Sequence, residues 1–98
     1  MSIHIIAILT TKNDTVDILH EELKSLVKET QKETACFQYE LHQDIESPNI
    51  FIMLEEWENE EGIKKHNESD HFLAFLKKSE TLMLTPLQIF KTLKSIDN

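Results

Sequence analysis

Hydrophobic positions recur along this chain with two different periods, and the switches between them mark its elements. Ile3 to Thr10, IHIIAILT, is dense in β-branched residues and reads as a strand. Its odd positions are Ile3, Ile5, Ala7 and Leu9; its even positions are His4, Ile6, Ile8 and Thr10. Both faces are largely apolar, so both need cover. Polar residues from Thr11 to Asp14 end the strand, with Asn13 or Asp14 placed to cap a following helix and Asp17 in its first turn. Val16, Leu19, Leu23, Leu26, Val27 and Thr30 then recur at three- and four-residue steps, the inner face of a helix reaching about Lys32.

Ala35 to Ile45 returns to a two-residue period, with Phe37, Tyr39, Leu41 and Ile45 on one side and Gln38, Glu40, His42 and Asp44 on the other. Ser47-Pro48-Asn49 is turn chemistry, and Ile50 to about Glu58 runs back, so 35–58 predicts an antiparallel hairpin. This third strand again has two apolar faces: Ile50, Ile52 and Leu54 on one, Phe51, Met53 and Trp57 on the other. Asn59 caps a short helix, with Glu60 and Glu61 at its positive end and Lys64, Lys65 and His66 at its negative end. Ser69 caps a second helix whose inward stripe is Phe72, Phe75 and Leu76. From Leu84 the strand pattern resumes, Leu87, Ile89 and Leu93 alternating with Gln88, Phe90 and Thr92; Pro86 suits its start.

The order is β-α-β-β-α-β with the second helical region split. That predicts an α+β, ferredoxin-like fold: a four-stranded antiparallel sheet with helices on one face. Helices on one face leave the other apolar side of the first and third strands wet, and a patch that large is rarely tolerated in a monomer. The alternation therefore predicts a homodimer joined through its sheets.

Bulk properties narrow the class. At 98 residues the chain is expected to form a single domain, residues 1–98. A formal charge of −8, with no basic cluster beyond Lys64-Lys65 and Lys77-Lys78, argues against nucleic acid or an anionic membrane as partner. One cysteine, Cys36, permits no internal disulfide, which fits a reducing compartment. Ile3 to Leu9 is too short for a signal peptide, is interrupted by His4 and has no basic residues before it, so the expected location is cytoplasmic.

Ile50 to Phe72 gathers the chemistry-bearing side chains. Trp57, His66, Asn67 and His71 surround one strand-to-helix junction. With Glu33, Cys36 and Tyr39, then Asp44, Pro48, Phe51 and Glu56, and with Asn59, Ser69 and Phe72, these residues resemble the antibiotic biosynthesis monooxygenase family over nearly the whole length. The run E-x-W, a helix cap, then H-x-x-S-x-H-F carries most of the likeness. The resemblance implies a dimeric α+β barrel. It also implies a monooxygenase needing no metal or flavin, acting on a small phenolic, quinol or anthrone-like compound with dioxygen. Relatives on this fold also isomerise or degrade haem, so the fold does not by itself name the reaction. Two departures matter. Ala35 stands where the family has Gly before the cysteine, and the Asn, Trp and His set of haem-degrading members has no match at His66 and 72–78. There is also no arginine to clamp a carboxylate or phosphate.

Chemistry of this type needs a dry aromatic pocket, a group to take the phenolic proton, and donors to steady the anion. Phe51, Met53, Trp57, Phe72, Phe75 and Phe90 are the expected walls. His66, with an unperturbed pKa of ~6.5, is the first candidate base, and equally reads as a helix-end residue favoured by the dipole. His71 reads as a neutral hydrogen-bonding group or a capping or packing residue, Tyr39 as a phenolic donor or a packing residue, and Trp57 as a wall carrying an N–H or a core or dimer-interface aromatic. Asn67 reads as a substrate-orienting amide or a local turn former. His66, His71 and Glu68 share no metal-binding spacing, so no metal ligand set is assigned. Cys36 reads as buried and inert, and His4, His20 and His42 show no partner pattern.

Overall fold

The structure, a computed structural model, describes residues 1–96. Its elements in chain order are β1 (Ile3–Thr10), α1 (Val16–Thr30), β2 (Cys36–Gln43), β3 (Ile50–Trp57), α2 (Glu60–Asn67), α3 (Asp70–Ser79) and β4 (Gln88–Thr92). The strands form one antiparallel sheet in the order β2-β3-β1-β4. This is the ferredoxin-like α+β arrangement expected from the sequence. The crossover through α1 carries the chain past an empty slot, and the β2–β3 hairpin returns β3 into it beside β1.

Alternation decides which side of the sheet is covered. Ile5, Ala7 and Leu9 of β1 and Phe51, Met53, Glu55 and Trp57 of β3 are buried. Leu19, Leu23 and Leu26 of α1, Ile63 of α2 and Phe75 of α3 join them in one core. The even residues of β1 and β3 form the other face. Ile8, Ile52 and Leu54 are half-buried there, and Ile6 is exposed.

Several details differ from the sequence reading: β2 ends at Gln43, so Ile45 lies beyond it and is exposed, and the last strand begins at Gln88 rather than Leu84. The first turn of α1 is not capped by Asn13 or Asp14. Thr15 precedes the helix, and its hydroxyl bonds Lys12 O and Leu82 O instead, tying this turn to the segment before β4. The helix ends at Thr30 rather than near Lys32. Phe37 is exposed, because a bulge between Cys36 and Gln38 takes it out of register with β3 and away from Tyr39's face. Leu76 is exposed, and the inner stripe of α3 passes through Phe75 and Ser79. The caps of the two short helices are as expected: Asn59 Oδ1 accepts from Gly62 N at 2.8 Å and Ser69 Oγ from Phe72 N at 3.2 Å.

Ala35 is accommodated without strain, since no residue in the described chain has a positive φ. Its methyl packs onto Gly62 of α2, where an added Cβ would overlap it. The small residue at this crossing is on α2, not before the cysteine. Among the described residues no helix is long and apolar enough to cross a membrane.

Candidate active site

A cavity of about 250 Å³ lies between the covered face of the sheet and the helices. The sheet contributes Ile5, Ala7 and Leu9 from β1, Tyr39 from β2, Met53 and Glu55 from β3, and Ile89 and Lys91 from β4. The helices contribute Leu23, Leu26, Ile63, His66, Asn67, Phe72 and Phe75. The wall is thus mostly aliphatic and aromatic, broken by a few polar groups, the usual composition of a small-molecule site.

His66 is only 4% exposed and sits in the last turn of α2. Its ring packs between the indole of Trp57 (centroids 4.8 Å apart), the phenol of Tyr39 (5.5 Å) and Phe72 (4.6 Å). Its Nδ1 lies 2.7 Å from Glu33 Oε2, and the same oxygen lies 2.7 Å from His71 Nε2. A carboxylate oxygen only accepts, so both rings donate to it. That leaves His66 Nε2 without a proton. Because His66 lines the cavity and Glu33 does not, Nε2 is the nitrogen on the cavity side. Burial lowers the pKa of His66, and the Glu33 carboxylate opposes that shift. The result is a neutral imidazole of fixed tautomer, the form a general base requires.

Glu55 is the second titratable group in the wall. It is 7% exposed, and its Oε1 accepts from Trp57 Nε1 at 2.8 Å. Burial raises its pKa to about 7, with the indole N–H pulling the other way and Glu33 adding to the rise. Burial also raises the Tyr39 phenol, which stays an O–H donor. The Cys36 thiol is pushed up to about 11 by burial first and then by Glu33 and Glu55, which makes it a poor nucleophile.

The expected walls divide into three groups. Met53, Phe72 and Phe75 line the cavity. Trp57 and Phe51 are fully buried but stand behind it. Trp57 supports Glu55 and His66, whereas Phe51 stacks on His20 under α1 at 5.3 Å. Phe90 is not a wall: it pairs with Ile6, points from the open face and is 52% exposed, while its neighbours Ile89 and Lys91 reach inward. Among the expected polar residues, His66, Tyr39 and Asn67 reach the cavity, and His71 reaches Glu33 on its outer side.

Glu33 and Glu55 were not singled out as site residues from the sequence. Glu55 shares the parity of Phe51, Met53 and Trp57, so an acid on a buried strand face was a visible signal. Glu33 gave a signal only through its place in the family pattern.

Glu33, His66 and His71 also offer three ligand atoms within 4.8 Å of one another. The two 2.7 Å contacts are hydrogen-bond lengths. An ion at zinc–nitrogen and zinc–oxygen distances would need both rings to lose those protons and draw back from the carboxylate. The arrangement fits a hydrogen-bonded cluster better than a ligand set.

Residues 2–78 match the family model described as antibiotic biosynthesis monooxygenase. The chain belongs to that family. The Bacillus subtilis (strain 168) protein named "Putative monooxygenase YcnE" is 38% identical over 71 residues, spanning 72% of this chain and 75% of that protein. A conserved protein from Methanosarcina mazei Go1 superposes with a TM-score of 0.92 at 32% identity, covering 97% of this chain and 94% of that one. PA3566 from Pseudomonas aeruginosa superposes with a TM-score of 0.91 at 29% identity, covering 97% and 95%. The family match ends at residue 78, within α3, so Ile89 and Lys91 of β4 lie outside the matched stretch.

Proposed function

We propose that this family member is a monooxygenase of a small phenolic or quinol-like compound, working as a homodimer without metal or flavin. The observation that carries the reading is His66, held by Glu33 with its unprotonated Nε2 toward an apolar cavity. A phenol entering that cavity loses its proton to Nε2. The electron-rich anion then reduces dioxygen itself, so the reducing electrons come from the substrate. The low-dielectric wall favours the base in its neutral form.

The cavity volume falls just under the ~300–1,000 Å³ of drug-sized ligand sites, which favours one- or two-ring compounds over three-ring anthrones. The exposed apolar residues of the open sheet face, Ile6 and Phe90 among them, support pairing of two copies there. The deciding experiment is oxygen uptake with a panel of naphthols and naphthohydroquinones. The wild type consumes oxygen, and His66→Ala loses about 10²-fold or more in kcat while its circular dichroism is unchanged. Substrate conversion without oxygen uptake would assign the same base to an isomerisation. Binding without conversion would leave a ligand carrier.

A further inference from the structure

We propose that Glu55 is the general acid of this cavity, the proton-donating counterpart of His66, and that it selects neutral hydroxylated arenes over anionic ones. The acid step rests on the oxidative reading above; the selectivity does not. One carboxyl oxygen of Glu55 accepts the indole N–H of Trp57. The other has no hydrogen-bond partner, yet it is not among the sealed polar atoms, where Thr30 Oγ1 stands alone among the described residues. It is therefore open to the cavity that Glu55 lines. Trp57 joins the two titratable groups: its N–H holds Glu55 and its ring packs on His66.

Among the described residues no cation neutralises Glu55. From β2 it is faced by Tyr39 and Cys36 and from the turn before β2 by Glu33, while neutral His66 of α2 lines the same cavity. Lys91 of β4 reaches the cavity wall, but its ammonium is drawn outward to Glu60 at 3.0 Å. The surfaces that β1, α1 and α3 turn to the cavity are apolar. Burial therefore prevails and keeps a large share of Glu55 protonated near neutrality. Two groups in one site whose environments push them in opposite directions make an acid and a base.

The chemistry balances without a further reagent. His66 Nε2 takes the phenolic proton, and the anion passes one electron to dioxygen. The resulting radicals join at an unsubstituted ring carbon, and the peroxide oxygen takes the proton back from His66. His66 then removes the hydrogen on that carbon as the C=O bond forms and the O–O bond breaks. The departing hydroxide takes the Glu55 proton and leaves as water, and His66 returns its proton to the Glu55 carboxylate. A phenol and dioxygen thereby give a quinone and water. Once Glu55 ionises, above about pH 7, an anionic substrate would meet its carboxylate in the wall with no arginine to offset it.

Glu55→Gln tests this, since glutamine keeps an acceptor for the indole N–H. Infrared difference spectra of wild type against the variant should show a protonated-carboxyl C=O band at pH 6 that is gone at pH 9. A carboxylate at pH 6 would overturn the acid assignment without any turnover being measured. By calorimetry at pH 8, where Glu55 is largely ionised, wild type should bind 1-naphthol at least 10-fold more tightly than 1-hydroxy-2-naphthoate, and the variant should narrow that ratio. Equal ratios in the two proteins would overturn the selectivity. If wild type consumes oxygen, the variant should lose about 10²-fold in kcat with little change in KM; unchanged kcat overturns the acid step. If wild type consumes none with any naphthol, the oxidative reading and its O–O step fall together, while the carboxyl band and the binding ratio still judge the rest.

Discussion

The two faces of the sheet are made of similar residues and meet different surroundings. Ile5, Ala7, Leu9, Phe51 and Met53 lie under helices, and that face alone carries buried polar groups with assigned partners: Glu55 on Trp57 and His66 on Glu33. Ile6, Ile8, Ile52, Leu54 and Phe90 form the other face, which no helix among the described residues covers. The difference shows what a helical layer adds besides apolar burial. It fixes the direction of an imidazole, and it withdraws a carboxyl from water so that its proton is held to a higher pH. The open face has the oil without those constraints, and its role under this account is association.

Substitutions on neighbouring positions of opposite parity break the comparison most sharply. Met53→Asp puts a charge in the covered core with no partner and should cost about 5 kcal/mol, enough to unfold the protein in urea titration or at 25 °C outright. Ile6→Asp places the same charge on the open face. It should leave the protomer folded by circular dichroism and shift sedimentation at micromolar concentration from dimer to monomer; an unchanged dimer would move the interface elsewhere.

Glu55→Gln sharpens the comparison through pH. The folded pKa of Glu55 is raised from 4.5 to about 7, so its favourable contribution is full below pH 4.5 and is lost as pH rises through about 7. Stability of wild type relative to Glu55→Gln should therefore fall by about 3 kcal/mol between pH 4.5 and pH 8, read from denaturant midpoints at each pH. His66 has the opposite sign. Its lowered pKa stabilises the fold above its unfolded value of ~6.5, and that stability is lost as pH falls through the lower folded pKa. Trp57→Phe has the smallest effect, about 1–2 kcal/mol for one hydrogen bond and the volume lost with the indole. Because the indole N–H lowers the Glu55 pKa, its removal should move the carboxyl titration upward in infrared spectra.

Much of this was legible in the residues themselves. The two-residue period of Ile3–Thr10 and Ile50–Trp57 gave both the strands and their two apolar faces, and Asn59 and Ser69 marked their helices by cap chemistry. The bulge that exposes Phe37 was not legible, because one extra residue leaves no trace in an alternating pattern. Phe90 was drawn into the cavity by its aromatic character, although its parity opposed Leu87 and Ile89. In the site, the histidines were legible as polar groups at a junction. Their shared acceptor was not, since Glu33 is 33 residues from His66 and 38 from His71 along the chain. Glu55 was hidden by habit: an acid on a strand is read as solvated unless its parity is counted.

The central claim is that Glu33 fixes His66 so that its bare nitrogen faces the covered cavity. Long-range ¹H–¹⁵N correlation spectra of the imidazole at pH 7.5 test it without a substrate. The account predicts a protonated Nδ1 and an unprotonated Nε2 for His66, with that preference relaxed in Glu33→Ala. A His66 ring protonated at Nε2 and bare at Nδ1 in the wild type would contradict it.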